Sequence, residues 1–117
     1  SDTRALFGAV ADIANAAHLA FVHVVEGQTG GPRDMSAQDL AWLRGALTVP
    51  YIANNGYDGA SAQAAVEAGV TAVSFGRLAI ANPDLVARLK AGGPFNALDA
   101  DHLYGGGAEG YTDYPNL

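Results

Sequence analysis

The sequence predicts an α/β fold in which helices cover a parallel sheet. Segments with helical spacing alternate with short apolar runs along the 117 residues, and the connections between them are short. This order favours parallel strands joined by crossover helices. The apolar runs are almost continuous rather than alternating with polar residues, which is typical of strands buried on both faces.

The first helix is predicted at residues 3–17 and the first strand at residues 19–25. In the helix, apolar side chains recur at the three- and four-residue steps of one buried stripe. They are Leu6, Val10, Ile13 and Ala17. The strand reads Leu-Ala-Phe-Val-His-Val-Val, and the glycine-rich residues 27–32 after it are predicted to form a loop.

A second helix and a second strand follow this loop. Ser36 is a suitable N-cap, because its hydroxyl can accept a hydrogen bond from a backbone N–H of the first turn. The inner face of this helix carries Leu40, Leu43 and Leu47. The second strand is predicted at residues 49–53. Residues 54–56, Asn-Asn-Gly, end it with side chains that tolerate tight or left-handed backbone geometry.

The third strand is predicted at residues 70–75, after a helix at residues 61–68. Gly69 suits the position that closes this helix, where a left-handed residue is common. Gly76 and Arg77 end the strand. The series of alternating helices and strands therefore continues through a third strand.

The last helix is predicted to begin at Asn82, which would act as its N-cap, with Pro83 at the first helical position. Arg88 and Lys90 favour its C-terminal end, because cations are stabilised there. The segment after this helix, residues 93–117, is rich in glycine and poor in apolar side chains, so we treat it as a tail.

Three parallel strands cannot close a barrel, and they would leave two long apolar edges exposed. The tail has no evident way to cover these edges. We therefore expect residues 1–117 to be part of one larger domain, completed by further chain or by a partner. The chain begins at Ser1 rather than at a methionine, which we interpret as an internal starting point.

Composition excludes several classes of function. A net charge of −6 and a pI near 4.6 argue against a nucleic-acid surface, which needs clustered Lys and Arg. No apolar run approaches the roughly 20 residues of a membrane span, and no secretory signal is recognisable. The absence of cysteine removes disulfide and thiol chemistry and fits a cytoplasmic location.

Ligands of parallel α/β folds bind at the C-terminal ends of the strands, and two such ends carry suitable residues. Asn55 and Gly56 follow the second strand, and Gly76 and Arg77 follow the third. Glycine lets a phosphate approach the backbone N–H groups, and arginine offers a planar, charged donor. The alternative is that Gly56 only shapes a turn and Arg77 only pairs with an acid. Spacing alone does not decide between them.

Other polar residues are interpreted as structural. His23, within the first apolar run, is expected to be a hydrogen-bonded core residue. Glu26, just beyond that strand, is also expected to have a structural role. His18 and His102 lack the spacing of metal ligands, so we predict no metal site. Three loop charges are expected to be solvated: Arg33, Asp34 and Asp58.

The tail contains three tyrosines, Tyr104, Tyr111 and Tyr114, within a glycine-rich stretch. Such a segment is either a disordered end or a loop folded over a ligand. Tyrosine combines a flat apolar face with a hydroxyl, which suits the edge of an aromatic cofactor. Disordered tails usually contain fewer aromatic residues, so we favour the ordered loop.

Three segments carry specific motifs. They are Tyr-Ile-Ala-Asn-Asn-Gly-Tyr at 51–57, Phe-Gly-Arg at 75–77 with Ile-Ala-Asn-Pro-Asp-Leu at 80–85, and Tyr-Gly-Gly-Gly-Ala-Glu-Gly-Tyr-Thr-Asp-Tyr-Pro at 104–115. In this order they resemble the C-terminal part of the old yellow enzymes, FMN-dependent ene reductases of the N-ethylmaleimide reductase and xenobiotic reductase type. The resemblance implies the C-terminal portion of a (β/α)8 TIM barrel, about three βα units plus the tail.

The resemblance also implies roles for individual residues. The backbone of Asn55, Gly56, Gly76 and Arg77, with the Arg77 side chain, would hold the FMN phosphate. Tyr111 would border both the flavin and the substrate pocket. No segment matches the family's proton-donating tyrosine, its pair of residues that bind the substrate carbonyl, or its basic residue near the flavin N1. We therefore assign no catalytic residue to this chain.

The function implied by the resemblance is reduction of activated C=C bonds, as in enones and maleimides, with extension to nitro compounds. FMN would be the cofactor and NAD(P)H the reductant. The missing N-terminal part of the barrel is the expected partner, and this chain alone is expected to be inactive. The alternative is a non-catalytic, self-associating partial barrel that binds a phosphorylated ligand.

Overall fold

The computed structural model describes residues 2–117, so that Ser1 and the interpretation of the chain's starting point lie outside it. The chain forms two compact units, the first extending to Ser74 and the second comprising Phe75–Leu117. Among the described helices, none has both the length and the apolar character needed to cross a membrane.

The first unit is a three-stranded parallel sheet with helices between its strands. The elements in order are α1 (Thr3–Ala16), β1 (Val22–Val25), α2 (Ala37–Ala46), β2 (Tyr51–Asn54), α3 (Gly59–Glu67) and β3 (Ala72–Val73). The strand order is β1-β2-β3, with Val24 of β1 opposite Ala53 of β2. Ala53 in turn lies opposite Val73 of β3. The predicted parallel α/β arrangement is confirmed.

The predicted buried stripe of α1 is wrong for this unit. Ala11 and Ala14 are the buried residues of the helix, whereas the large side chains Leu6, Val10 and Ile13 are exposed. Helix α1 contacts α2 instead, and the Asn15 side chain donates to the carbonyl of Ala46 and accepts from the N–H of Thr48. Within residues 2–117, the larger side chains are left without full cover.

The strands also differ in burial, because a central strand has neighbours on both sides and an edge strand has only one. In the central strand β2, Tyr51 and Ala53 are buried. In the edge strand β1, exposed positions such as Val25 alternate with half-buried ones, so the prediction of burial on both faces is wrong for this strand. An edge strand has one neighbour, and the described residues cover only part of its surface.

Capping residues explain where the helices of this unit begin and end. The Ser36 hydroxyl accepts from the N–H of Asp39, as predicted. Asp58 is exposed, as expected for a solvated loop charge, and it is also the N-cap of α3 in a capping box with Ser61. Gly69 has a φ of +112°, as suits the predicted end of this helix, but it lies one residue beyond the C-cap, which is Ala68 rather than the predicted Gly69.

The second unit begins with two short helices, α4 (Arg77–Ala81) and α5 (Leu85–Ala91). The prediction that Asn82 is the N-cap of α5 is wrong. Asn82 is instead the C-cap of α4. Its amide group donates to the carbonyl of Leu78 and accepts from the N–H of Asn96. The sequence reading missed α4, because five residues are too few to show a periodic pattern.

The tail is ordered and contacts α5 within the second unit, whereas its predicted folding over a ligand remains a prediction. Arg88, expected only to favour the C-terminal end of the helix, is buried with 3% exposure. It donates to the carbonyls of Pro94 and Pro115, both at 2.7 Å, and to the Asp84 carboxylate at 2.7 Å. The N–H of Asp99, just before a 3₁₀ turn at Ala100–His102, donates to the hydroxyl oxygen of Tyr114.

Candidate functional site

A left-handed turn follows β2. Asn55 has φ of +94° and Gly56 has φ of +67°. Glycine adopts this region without a steric penalty, and asparagine tolerates it better than most residues. The predicted tolerance for unusual backbone geometry after the second strand is therefore confirmed. The turn places an exposed glycine at the carboxyl end of the central strand.

The loop between β1 and α2 holds this turn. The Asn55 side-chain amide donates to the carbonyls of Gln28, at 3.0 Å, and Pro32, at 3.3 Å. The loop is tightly closed at Gly27, where an added Cβ would lie 2.4 Å from the carbonyl oxygen of Pro32. Only glycine fits there, and the loop therefore presents both carbonyls to Asn55.

Arg33, from the same loop, lies beside the turn. Its guanidinium is 4.2 Å from the centroid of the Tyr57 ring, and its Cβ would lie 3.6 Å from a Cβ added at Gly56. A cation over an aromatic face is attracted by the ring's quadrupole. The expectation that Arg33 is only a solvated loop charge is corrected, because it also packs on Tyr57. Asp34 accepts from the Gln28 amide within the loop.

Glu26, immediately after β1, is completely buried and accepts three hydrogen bonds. Its donors are Arg44 Nη2 at 2.7 Å, the Tyr51 hydroxyl at 3.0 Å and the Tyr57 hydroxyl. Arg44 also donates to the Tyr57 hydroxyl oxygen at 3.0 Å. The structural interpretation of Glu26 is confirmed. The sequence did not reveal its partners, which lie on α2, on β2 and just beyond β2.

The surroundings of this cluster shift the pKa values of its two tyrosines and its arginine. Burial raises the pKa of both Tyr51 and Tyr57, and the Glu26 carboxylate beside each hydroxyl raises it further. Burial is the largest single effect on Arg44 and opposes its charge, but the hydrogen bond to Glu26, the Glu26 charge and the neighbouring tyrosines together outweigh it and raise the pKa of the guanidinium. The tyrosines therefore remain neutral donors, and Arg44 remains a cation.

Ser74, directly after β3, links its own strand to β1 and β2. Its hydroxyl oxygen lies 2.8 Å from Nε2 of His23 and accepts from the Asn54 side-chain amide at 2.8 Å. The hydrogen bond expected for His23 is confirmed, but its burial is not, because its side chain is exposed on the edge strand. Ser74 carried no signal in the sequence, since a lone serine after a strand is common.

Gly76 and Arg77 belong to the second unit. Gly76 is exposed and precedes α4 as its N-cap, and no atom lies within 4 Å of a Cβ added there. Arg77 is the exposed first residue of the helix. Asn55 and Gly56 belong to the first unit, so the union of these four residues in one phosphate site remains a prediction.

Tyr111 is 75% exposed, on a turn in which its N–H and that of Thr112 donate to the carbonyl of Ala108. The turn packs through the buried Gly110, where an added Cβ would lie 2.6 Å from Cβ of His102. Tyr111 thus projects from an ordered part of the tail. Its role beside a flavin and a substrate remains a prediction.

The prediction that His102 lacks metal-ligand spacing is corrected, because two acidic residues lie close to its ring. Nδ1 of His102 lies 2.8 Å from the Asp99 carboxylate, and Nε2 lies 3.6 Å from that of Glu109. Ligand atoms of the three residues lie within 4.8 Å of one another. The two ring nitrogens face different carboxylates, the nearer at hydrogen-bond distance, so we interpret the cluster as an ion-pair network. The absence of a metal remains a prediction.

Comparison with known proteins identifies the family. The NADH:flavin oxidoreductase / NADH oxidase family matches residues 4–96. A Leishmania infantum protein named as a probable flavin mononucleotide-dependent alkene reductase is 36% identical over 115 residues, which are 97% of this chain and 31% of that protein.

Solved structures support the same relationship. Morphinone reductase matches 100% of this chain and 32% of its own, with a TM-score of 0.88 and 33% identity, and another structure of that enzyme contains tetrahydroNAD. The old yellow enzyme from Trypanosoma cruzi matches 98% of this chain and 31% of its own, with a TM-score of 0.84 and 34% identity. The chain spans about a third of each relative.

These likenesses confirm the predicted fold class, a parallel α/β portion of an old yellow enzyme TIM barrel. They also agree with the motifs found in the sequence, and FMN is the cofactor of the family. The chain belongs to the NADH:flavin oxidoreductase / NADH oxidase family and, within it, to the old yellow enzymes.

Proposed function

We propose that this chain supplies the FMN phosphate-binding part of an NAD(P)H-dependent ene reductase. The observation that carries the proposal is the left-handed turn at Asn55 and Gly56, which exposes a glycine at the carboxyl end of the central strand. Ligands bind at this end of parallel α/β barrels, and their phosphates commonly lie at the last strands. Family membership supplies the identity of the ligand.

The residues fit a phosphate. Gly56 and Gly76 are both exposed, and Gly76 has open space where a side chain would be. A phosphate can therefore approach the backbone N–H groups at these positions. Arg77 adds a permanently charged, planar donor, which suits phosphate oxygens better than an ammonium does. In the proposed site, this chain binds and orients the phosphate end of FMN.

The hydride chemistry of such an enzyme belongs to its flavin, and the protein binds, orients and polarises. We propose activated alkenes, such as enones and maleimides, as substrates, nitro compounds as further ones, and NAD(P)H as the reductant. Tyr111 would contact both flavin and substrate through its exposed ring. We place no catalytic group on this chain, so turnover requires residues from the rest of the barrel. A cytoplasmic location is part of the same proposal.

The partner we propose is the N-terminal part of the same barrel. Two surfaces of the first unit support this choice: the open edge of β1 and the exposed apolar residues of α1. A groove beside β1 is lined by apolar side chains that include Phe7, Val10 and Val22. A neighbouring βα unit would cover both surfaces, as in any closed barrel.

Self-association of this chain as a non-catalytic binding module is the competing explanation of the same surfaces. Light scattering after size-exclusion chromatography separates the two. A stable complex with a second polypeptide supplying the remaining βα units supports the ene reductase. A symmetric homo-oligomer of this chain that binds phosphorylated ligands supports the alternative, provided that adding the second polypeptide does not dissociate the homo-oligomer.

The proposed phosphate site is tested with Arg77→Ala in the complete barrel, meaning this chain together with the remaining βα units. Loss of a charge-assisted contact should weaken FMN binding by about 1.5–3 kcal/mol, or roughly 10- to 150-fold. Fluorescence titration measures the affinities for FMN and for riboflavin, which lacks the phosphate. Lys90→Ala, the loss of another exposed cation in the second unit, is the control.

The expected result is a selective effect. Arg77→Ala should weaken FMN and leave riboflavin unchanged, whereas Lys90→Ala should change neither. If Arg77→Ala leaves the FMN affinity unchanged, or weakens both ligands equally, Arg77 is not a phosphate ligand. If the unmodified barrel binds FMN no better than riboflavin, the phosphate site as a whole is wrong.

A further inference from the structure

We infer that Glu26 and Tyr57 position the Asn55–Gly56 turn, so that the phosphate site depends on a buried hydrogen bond behind it. The inference rests on the proposed function, in which this turn binds the FMN phosphate. Glu26 and Tyr57 are positioning residues in this scheme, since both are buried and act through the turn.

Tyr57 is fixed from the inside. It directly follows Gly56 and is 8% exposed. Its hydroxyl donates to one oxygen of the Glu26 carboxylate and accepts from Arg44. The other oxygen of Glu26 accepts from Arg44 and Tyr51. A carboxylate held on both oxygens has a fixed orientation, and it therefore fixes the Tyr57 hydroxyl.

The same ring is fixed from the outside. The Arg33 guanidinium lies over it at 4.2 Å, and the Arg33 side chain runs alongside Gly56. The loop that carries Arg33 also presents the carbonyls of Gln28 and Pro32 to the Asn55 side chain. The turn thus lies between a buried anchor on one side and a closed loop on the other.

The turn benefits from such support because its backbone geometry is costly at Asn55. Asparagine tolerates a positive φ better than most residues, but for any non-glycine residue this conformation still costs free energy that the surrounding contacts must offset. A phosphate site also tolerates little displacement, because hydrogen bonds weaken steeply when distance or angle departs from the optimum. Releasing Tyr57 should therefore reduce phosphate binding before it disturbs the rest of the flavin site.

Tyr51 offers a matched control. Like Tyr57, it is a buried tyrosine, with 5% exposure, whose hydroxyl donates to Glu26. It lies at the first position of β2, four residues before Asn55, and its main chain is fixed within the sheet. Removing either hydroxyl takes one donor from Glu26, but only Tyr57 is covalently adjacent to the turn.

The experiment compares Tyr57→Phe with Tyr51→Phe in the complete barrel. Affinities for FMN and riboflavin are measured by fluorescence titration, and stability by thermal unfolding. Tyr57→Phe should weaken FMN by about 3- to 10-fold, the effect expected for one hydrogen bond, and riboflavin by less than about 2-fold. Tyr51→Phe should leave both affinities within about 2-fold even where it lowers the Tm as much.

Amide exchange at residues 55–57 gives a second readout, which should be faster in Tyr57→Phe and unchanged in Tyr51→Phe. Equal effects of the two variants, or equal weakening of FMN and riboflavin by Tyr57→Phe, would show a merely structural role and overturn the inference. If Arg77→Ala weakens FMN selectively and Tyr57→Phe does not, only the positioning role fails. If FMN and riboflavin bind equally to the unmodified barrel, the proposed phosphate site fails instead.

Discussion

Arg88→Ala should release the tail from α5. Arg88 is 3% exposed and holds three acceptors at 2.7 Å: one oxygen of the Asp84 carboxylate and the carbonyls of Pro94 and Pro115. The two carbonyls belong to the beginning and the end of the tail. One side chain therefore joins the helix to both ends of the segment that carries Tyr111.

The expected loss of stability depends on the acceptors that lose Arg88 as their donor. Asp84 would not be left as an uncompensated buried charge, because its side chain is 20% exposed and also accepts from the N–H of Leu117. Hydrogen bonds from a charged group to carbonyls contribute about 1.5–3 kcal/mol each, but the three interactions share one side chain and do not add. We therefore expect Arg88→Ala to destabilise the tail by about 1.5–3 kcal/mol, which corresponds to roughly a 10- to 150-fold change in population.

Hydrogen exchange measures this effect locally. The N–H groups of Asn96, Asp99 and Leu117 donate to the side chains of Asn82, Tyr114 and Asp84, respectively. Their exchange in Arg88→Ala should accelerate by up to about a hundredfold, toward the rate of an unstructured chain.

Lys90→Ala is the matched control, because Lys90 is an exposed cation on the same helix. Its effect should stay within about 0.5 kcal/mol. Unchanged exchange of all three amides in Arg88→Ala would refute the reasoning. The tail would then be held by its apolar contacts and not by this guanidinium.

Two further predictions concern the turn and the tail. Asn55→Ala should lower the free energy of unfolding in urea by about 1–3 kcal/mol, because alanine keeps the strained φ and loses both side-chain hydrogen bonds. Asn55→Gly should cost less, and equal losses would show that backbone strain is unimportant. For His102, the hydrogen bond that its Nδ1–H donates to the Asp99 carboxylate and the nearby charges of Asp99 and Glu109 raise its pKa above 6.5. The stabilisation of the folded tail by charged His102 should be fully present below pH 6.5 and should be lost as the pH rises through the raised pKa. An NMR titration measures this pKa, and a value at or below 6.5 would contradict the prediction.

The positions of the strands were predictable because they depend on local pattern. Apolar runs bounded by glycine and asparagine located all three strands, although the observed strands are shorter. The left-handed residues at Asn55, Gly56 and Gly69 also followed from side-chain identity, since few residue types tolerate positive φ. These features need no information about distant parts of the chain.

Burial on α1 could not be predicted in the same way. The spacing of Leu6, Val10 and Ile13 identified an apolar stripe correctly, but burial requires an element to pack against it. In the first unit, the buried residues of α1 are alanines, and the helix contacts α2 through groups that include the Asn15 side chain. A hydrophobic pattern shows what a surface prefers, whereas the tertiary structure decides which surface is covered.

The supports of the candidate site were hidden for a different reason. Glu26 meets Arg44, Tyr51 and Tyr57 across separations of 18, 25 and 31 residues. Single polar residues at such distances have no common period, so no pattern in the sequence joins them. The motif at residues 51–57 contained both tyrosines, and only the fold showed that they converge on one carboxylate.

The buried charged side chains of this chain fix the positions of neighbouring segments more than they stabilise the fold. Glu26 and Arg88 are among its few buried polar side chains, and each joins segments that meet only in the folded state. Apolar residues of similar volume often replace buried ion pairs without loss of stability. Such residues would fill the same space, but their contacts are not directional and would let a neighbouring loop slide. A carboxylate or guanidinium with fixed partners does not permit this movement. At Glu26, directly after β1 and behind Tyr57, that property lies where a ligand of a parallel α/β fold would bind. The need to hold the Asn55–Gly56 turn in place then accounts for a charge that stability alone does not require.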